Sequence, residues 1–155
     1  MMEGVFTGGC QCGAVRFRAE KLGRASICHC RMCQKQFGSF FGALVTADQA
    51  HLTWTRGQPS LFRSSAKVKR GFCPKCGTPL TYQSDEGVEI AIGAFDHPEL
   101  IEPEIQVNYS HRLPWIDHLF EKTQFSSPEY DAKWASVESY QHPDHDTAEW
   151  PPKDE

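Results

Sequence analysis

The sequence feature that most constrains this chain is the grouping of its seven cysteines. Three lie within the six residues Cys28-His29-Cys30-Arg31-Met32-Cys33, and one pair lies on each side, in Cys10-Gln11-Cys12 and in Cys73-Pro74-Lys75-Cys76. A disulfide within the first pair would close a very small, strained ring. An odd number of closely spaced thiols in a chain without an export signal therefore favours metal ligation over disulfides.

The downstream pair has the spacing of a zinc knuckle. Two thiolates three residues apart across a tight turn can both reach one tetrahedral ion, at about 2.3 Å each. Pro74 sets the turn, and Gly77 can adopt the positive φ that points backbone N–H groups at sulfur. The alternative is a pair of buried free cysteines.

The upstream pair is predicted to supply the other half of the same site. Residues i and i+2 of an extended chain project on one side, so Cys10 and Cys12 would act as a two-pronged ligand. A glycine, Gly13, follows this pair as Gly77 follows the other, which indicates that the two pairs share one ion. A closed four-sulfur site has no room for substrate, so we assign it a structural role. We call it the four-cysteine cluster: Cys10, Cys12, Cys73 and Cys76.

The remaining cysteines form the three-cysteine cluster, which consists of Cys28, Cys30 and Cys33. A short helical turn from Cys30 would make its thiols converge. Three protein ligands with an exchangeable fourth position are typical of catalytic zinc. One alternative is a second structural site closed by a histidine, and another is a different pairing of the seven cysteines. The ring of His29 should point away, so the candidate fourth ligands are His51, His97, His111 and His118.

Composition narrows the function classes. The 155 residues suit one domain with a modest core, and 16 basic against 20 acidic residues give a net charge of −4. Without a basic run, nucleic-acid binding is not expected. We find no signal-peptide pattern and no apolar stretch long enough to cross a bilayer, so we expect a soluble, cytoplasmic protein without a membrane partner. The sequence makes no prediction of oligomeric state.

Short strands at close intervals predict a mainly β, antiparallel architecture with short helical turns. A late helix is predicted with Ser127 as its cap and Pro128 in its first position. We expect one domain over residues 1–140 and a disordered acidic tail over 141–155. The chain is predicted to turn at Lys21–Arg24. The strand candidates are 5–19 (interrupted by a cysteine-bearing turn), 39–46, 52–55, 61–63, 68–72, 80–83, 88–94 and 105–109.

With these residues in place, the chain resembles the glutathione-dependent formaldehyde-activating enzyme family, whose domain also occurs in centromere protein V. The resemblance runs from about Gly8 to Trp115, and three ordered cysteine motifs make it specific. The matching segments are Gly9–Gly13, Cys28–Cys33, Phe37–Ser39, Phe72–Gly77, Gly93–Pro98 and Arg112–Trp115.

This resemblance implies a β-tent of small sheets stapled by two zinc ions. The four-cysteine cluster would bind the structural ion, and Cys28, Cys30 and Cys33 would bind the catalytic one. The implied activity is that of a carbon–sulfur lyase, which joins glutathione and formaldehyde to S-hydroxymethylglutathione or reverses that step. The implied partners are therefore a small-molecule thiol such as glutathione and an aldehyde.

Two other functions fit the residues. One is a non-catalytic, zinc-stapled β-domain that binds a protein or small-molecule partner, and the other is a sulfur-redox enzyme on a similar fold. The redox enzyme needs a low-pKa cysteine outside the metal sites, and the grouping leaves none. By residue type, the candidate general acids are Ser39, Tyr109 and His111. The cations available to bind substrate carboxylates are Arg31, Lys67, Lys69, Arg70 and Arg112.

Overall fold

The computed structural model describes residues 1–150 and confirms a mainly β, antiparallel fold with short helices. Its strands are β1 (Met2–Gly9), β2 (Arg16–Cys28), β3 (Gly42–Ala47), β4 (Leu52–Arg56), β5 (Ser60–Arg63), β6 (Lys69–Phe72), β7 (Pro79–Ser84), β8 (Gly87–Ala91) and β9 (Ile105–Val107); its helices are α1 (Arg31–Phe37) and α2 (Pro128–Ala135). Short 3₁₀ helices cover Gln49–His51, Ile92–Ala94, Pro98–Leu100, Tyr109–His111 and Ile116–Glu121.

Hydrogen bonds join all nine strands into one sheet, in the order β1-β2-β3-β8-β7-β6-β5, with β4 and β9 also paired to β2. Strand β2 is the hub. Residues Arg16–Ala19 lie between β1 and β4, and Ser26–Cys28 lie between β3 and β9. The β2–β9 pair is parallel, and it brings the segment after Val107 beside the end of β2. An early strand and a late strand of the chain therefore meet where the three-cysteine cluster begins.

The turn predicted at Lys21–Arg24 is wrong. Strand β2 continues through Gly23, and its register with β3 shifts between Leu22 and Ala25. A bulge of this kind absorbs a glycine by increasing the local twist, without ending the strand. This 13-residue strand therefore runs without interruption from the region of the four-cysteine cluster to the three-cysteine cluster.

The two faces of the central sheet differ in polarity. One face buries the apolar row formed across neighbouring strands by Ala25, Val45 and Ile90, none of them more than 1% exposed. Successive side chains of a strand alternate between faces, so their neighbours Thr46 and Glu89 lie on the opposite face. The core therefore lies on one side of these strands, which leaves the other side for a polar cavity.

The segment from 141 to 150 packs against the domain, although its composition predicted disorder. His142 is buried and donates its backbone N–H to the carbonyl of Gln11 at 2.8 Å, and the indole of Trp150 donates to the carbonyl of Cys12 at 2.6 Å. Asp146 pairs with the buried guanidinium of Arg16 at 2.7 Å. These partners lie far away in sequence, and the composition of a segment does not reveal such distant contacts. Residues 151–155 of the predicted tail lie outside the described residues.

The late helix forms as predicted. Ser127 accepts a hydrogen bond from the backbone N–H of Tyr130 at 3.1 Å, and Pro128 occupies the first turn. The aromatic side chains on α2 remain exposed, with Tyr130 against both Phe125 and Trp134. Within residues 1–150, neither helix has the length and apolar character needed to cross a membrane.

Candidate active site

The four cysteines predicted to form one site do meet. The Sγ atoms of Cys10, Cys12, Cys73 and Cys76 all lie within 4.8 Å of one another. Those of Cys10 and Cys12 are 3.6 Å apart, and those of Cys12 and Cys73 are 3.8 Å apart, which joins segments 61 residues apart. A set of four convergent thiols suits a tetrahedral thiophilic ion such as zinc.

Two backbone turns, each closed by a glycine N–H, hold this cluster. In one, the N–H of Gly13 donates to the carbonyl of Cys10 at 3.0 Å, and in the other the N–H of Gly77 donates to that of Cys73 at 2.9 Å. Both glycines have positive φ, +75° and +79°, a conformation that glycine adopts without strain. The extended chain expected at Cys10 and Cys12 is therefore wrong, because this pair lies on a turn that mirrors the downstream knuckle.

Backbone donors point at the sulfurs of the four-cysteine cluster. The N–H of Val15 lies 3.2 Å from the Sγ of Cys10, and the N–H groups of Lys75 and Cys76 lie 3.4 and 3.5 Å from the Sγ of Cys73. Such donors stabilise negative charge on sulfur. The cluster thus has the surroundings that metal-bound thiolates need.

The three-cysteine cluster forms where β2 passes into α1. Cys28 ends the strand, Cys30 caps the helix and Cys33 lies in its first turn, and their Sγ atoms lie within 4.8 Å of one another. The backbone N–H of Cys33 donates to the Sγ of Cys30 at 3.3 Å, so a thiol takes the usual place of a capping oxygen. Gly38 ends the helix in the left-handed conformation, which glycine adopts readily.

Within residues 1–150, no histidine nitrogen or carboxylate oxygen lies within 4.8 Å of all three sulfurs. The ring of His29 is buried on the other side of β2, where its Nε2 lies 2.7 Å from Oε1 of Gln106. The four distant candidates lie beside other groups: His51 by Asp48, His97 by Glu99, His111 by Ser110 and His118 by Glu121.

Arg70 places a buried positive charge beside this cluster. Its guanidinium is 3% exposed, and its Nη1 and Nη2 lie 3.5 and 3.6 Å from the Sγ of Cys33. Hydrogen bonds to Ser64 and Gln36, both 3.0 Å, and the ring of Tyr82 at 5.2 Å fix its orientation. Arg70 can therefore offset the negative charge of clustered thiolates.

Asn108 supports the cluster from β9. Its Nδ2 donates to the Sγ of Cys28 at 3.3 Å, and its backbone has φ of +53°. It is the one residue other than glycine with positive φ among residues 1–150. Asparagine tolerates this conformation better than most residues, and strained backbone of this kind often lies at functional sites.

The pKa values of two thiols in this cluster shift in opposite directions. A hydrogen bond between Cys28 and Cys33 lowers the pKa of Cys28 and raises the pKa of Cys33. Burial adds to the rise at Cys33, and the guanidinium of Arg70 opposes it. Asn108 lowers the pKa of Cys28 and Arg70 opposes the rise at Cys33, so both neighbours favour the thiolate form.

A cavity of about 480 Å³ opens onto the three-cysteine cluster. Its size falls within the range of small-molecule sites, roughly 300–1,000 Å³. Besides the three cysteines, its polar wall is formed by Arg24, Ser26, Thr46, Ser64, Ser65, Arg70, Tyr82, Ser84, Glu86, Glu89 and Asn108. Strands β2, β3, β6, β7 and β8 each contribute to this wall.

Several residues singled out by type lie elsewhere. None of the predicted general acids lines the cavity: Ser39 and His111 are exposed, and the hydroxyl of Tyr109 donates to Asp117 at 2.9 Å. Of the predicted cations, Arg70 alone lines it. Arg31 bonds Gln34, Arg112 pairs with Asp117, and Lys67 and Lys69 line a separate groove.

The sequence reasoning missed Arg24, Glu89 and Asn108, which line the cavity. Strand alternation would have placed Arg24 on the same side as Cys28, had Lys21–Arg24 not been assigned to a turn. No local signal identifies Glu89 or Asn108, because both reach the cavity through pairing with distant strands.

We predict that Arg70→Met weakens metal binding by the three-cysteine cluster by about 10–100-fold, the usual cost of losing a partner to a metal ligand. The reason is that the charge beside Cys33 would go uncompensated. Competition with a chromogenic chelator measures the affinity of each site. Lys69→Met is the matched control, since it removes the same charge from an exposed neighbour. Equal effects of the two variants would contradict the role given to Arg70.

Comparison with known proteins agrees with this arrangement. A family profile described as "Glutathione-dependent formaldehyde-activating enzyme" matches residues 5–111, a range that holds both cysteine clusters. The crystal structure of a Rhodobacter sphaeroides protein is similar in fold, with a TM-score of 0.52 and 24% identity, over 65% of this chain and 99% of that one. No match was found among curated proteins.

Proposed function

Because the chain belongs to the glutathione-dependent formaldehyde-activating enzyme family, we propose that it is a zinc-dependent enzyme of the carbon–sulfur lyase type. The substrates would be glutathione and formaldehyde, and the product S-hydroxymethylglutathione. The reaction site would be the cavity at Cys28, Cys30 and Cys33. A cytoplasmic location remains a prediction from the sequence.

The single observation that carries this proposal is the position of three convergent sulfurs on the wall of a cavity of substrate size. The four-cysteine cluster offers a complete tetrahedral ligand set, whereas these three sulfurs leave one coordination position for a guest. The donor set fits zinc, because soft thiolates are its preferred ligands and Arg70 and Asn108 stabilise their charge. A zinc ion held there would supply Lewis acidity and a site for a thiol sulfur or a carbonyl oxygen.

The residues of the chain would perform the remaining tasks. In the addition, a sulfur–carbon bond forms, the carbonyl π bond of the aldehyde breaks, and the proton of the thiol ends on the carbonyl oxygen. Ser26, Ser64 and Ser65 offer hydroxyl groups along the cavity to orient the peptide part of the thiol. Arg24, which is exposed at the cavity, offers a guanidinium for one substrate carboxylate.

Exchange spectroscopy by NMR tests this function on an equilibrium mixture of glutathione, formaldehyde and adduct. We expect the exchange rate to rise in proportion to the concentration of zinc-loaded protein. Chelation of the metal should remove the acceleration, and so should Cys30→Ser. 2-Mercaptoethanol in place of glutathione should show weaker acceleration, because it lacks carboxylates. An exchange rate equal to that of the protein-free mixture would overturn the proposal.

A further inference from the structure

The cavity has a carboxylate at the centre of its polar floor. Strand register places four side chains in one continuous row across β3, β8, β7 and β6: Thr46, Glu89, Tyr82 and Arg70. All four line the cavity. Arg70, at one end of the row, contacts the sulfur of Cys33. The row therefore begins at the three-cysteine cluster, and Glu89 lies next to the cation–aromatic pair of Arg70 and Tyr82.

Glu89 lacks the partners that structural carboxylates have. Among the contacts within residues 1–150, its carboxylate has neither a hydrogen bond nor an ion pair, although the side chain is half-buried. By contrast, the buried carboxylate of Asp96 is held by Arg16 and Thr7. A half-buried carboxylate without partners loses hydration and gains neither a hydrogen bond nor an ion pair in return. Such unfavourable positions are expected at functional sites.

The environment of Glu89 favours its protonated form more than water does. Burial raises the pKa of Glu89, and the negative charge of Cys28 raises it further, while Arg24 opposes the change. A carboxyl group that exchanges its proton closer to neutral pH is better matched to proton transfer. Glu86 also lines the cavity but is exposed, so it lacks this environment.

We propose that Glu89 is the proton-transfer residue of the reaction, a role that rests on the proposed function. Its carboxylate takes the proton from the substrate thiol while the sulfur–carbon bond forms. It then returns that proton to the former carbonyl oxygen, which completes the hydroxymethyl group. In the reverse direction, the same carboxylate removes the hydroxyl proton and protonates the departing sulfur. One residue suffices, because the thiol loses one proton and the carbonyl oxygen gains one.

The test compares Glu89→Gln with Glu20→Gln, a control at a half-exposed glutamate outside the cavity, in the exchange measurement on protein loaded with zinc. Glutamine keeps the shape of the side chain and cannot carry the proton. We expect Glu89→Gln to lose about 10²-fold or more of the acceleration, within the usual range for a general acid–base group. Glu20→Gln should lose little, and both variants should keep two zinc ions and the melting temperature of the wild type.

A second variant separates proton transfer from structural damage. Glu89→Ala leaves a gap in the wall of the cavity. Added formate can enter this gap as a replacement carboxylate. We expect the exchange rate of this variant to rise with formate concentration, whereas the wild type and Glu20→Gln should not respond. If Glu89→Gln loses zinc or unfolds, rescue of Glu89→Ala decides the matter, and the absence of rescue overturns the proposal.

The outcomes distinguish this proposal from the function on which it rests. If the wild type fails to accelerate exchange, the proposed function is overturned and the role of Glu89 with it. If the wild type and Glu89→Gln accelerate exchange equally, the proposed function stands and only the role of Glu89 is overturned.

Discussion

Cys76→Ser is expected to remove most of the folding stability of this protein. Cys76 is exposed, so the loss of its own apolar contacts costs little. The main loss is the free energy of metal binding. Binding of structural zinc contributes about 10–16 kcal/mol in peptides, whereas the free energy of unfolding of a whole domain is only about 5–15 kcal/mol. Thermal melting should show a large drop, and metal analysis should count one zinc ion per chain in place of two.

Cys30→Ser is the matched control. It removes a thiol from the other cluster, where the helix cap can be kept by a serine hydroxyl. We expect this variant to keep most of its stability and to lose its acceleration of adduct exchange. If the two variants lower the melting temperature equally, both ions are structural, and the non-catalytic zinc-stapled domain becomes the better description.

Asp96→Asn is expected to lower the free energy of unfolding by about 3–5 kcal/mol, the usual cost of breaking a buried ion pair. The side chains of Asp96 and Arg16 are 5% and 4% exposed, and two hydrogen bonds of 2.6 and 2.7 Å join them. In the variant, Arg16 keeps only the half-exposed Asp146 as a charged partner. Urea denaturation at a fixed concentration of free zinc measures the change.

The same pair predicts a dependence on pH with a definite sign. Burial alone would raise the pKa of Asp96, but hydrogen bonds from Arg16 and Thr7 outweigh burial and lower it. Because the folded-state pKa lies below the unfolded value of about 3.9, the contribution is complete above that value. It is lost as the pH falls through the folded-state pKa. The difference between wild type and Asp96→Asn should therefore be constant from neutral pH to about pH 5 and shrink below about pH 4.

Glu20→Gln provides the surface comparison. Glu20 and Arg18 also form an ion pair at 2.9 Å, but their side chains are 45% and 46% exposed. Exposed pairs contribute about 0–1 kcal/mol, so this variant should behave almost as the wild type. A destabilisation of Asp96→Asn as small as that of Glu20→Gln would contradict the stabilising role given to the buried pair.

The cysteine clusters were predictable from sequence because their geometry is mostly local. The knuckle at Cys73–Cys76, the helical turn after Cys30 and the glycines at Gly38 and Gly77 each depend on residues within a few positions. Most strands were predictable for the same reason, through alternation and turn residues. The join between Cys12 and Cys73 was inferred from ligand counting, which needs no knowledge of topology.

The surroundings of the clusters were not predictable because they come from pairings between distant strands. Asn108 reaches Cys28 only through the parallel β2–β9 pair, and Glu89 reaches the cavity only through the register of β8 with β3. The packed segment around His142 depends on acceptors in the first turn of the chain. Phe40 is apolar, yet it is exposed and packs against Trp115, because apolar character alone does not specify a face.

The alternation along the end of β2 restricts how relatives of this chain can vary in length. Ser26 and Cys28 face the cavity, while Ala25 and His29 are buried away from it. A one-residue deletion within this stretch would exchange the two faces, turning the thiol inward and sending a polar side chain into the core. We therefore expect insertions and deletions to accumulate in the loop at 64–67, while the spacing from Ala25 to Cys33 is inherited unchanged.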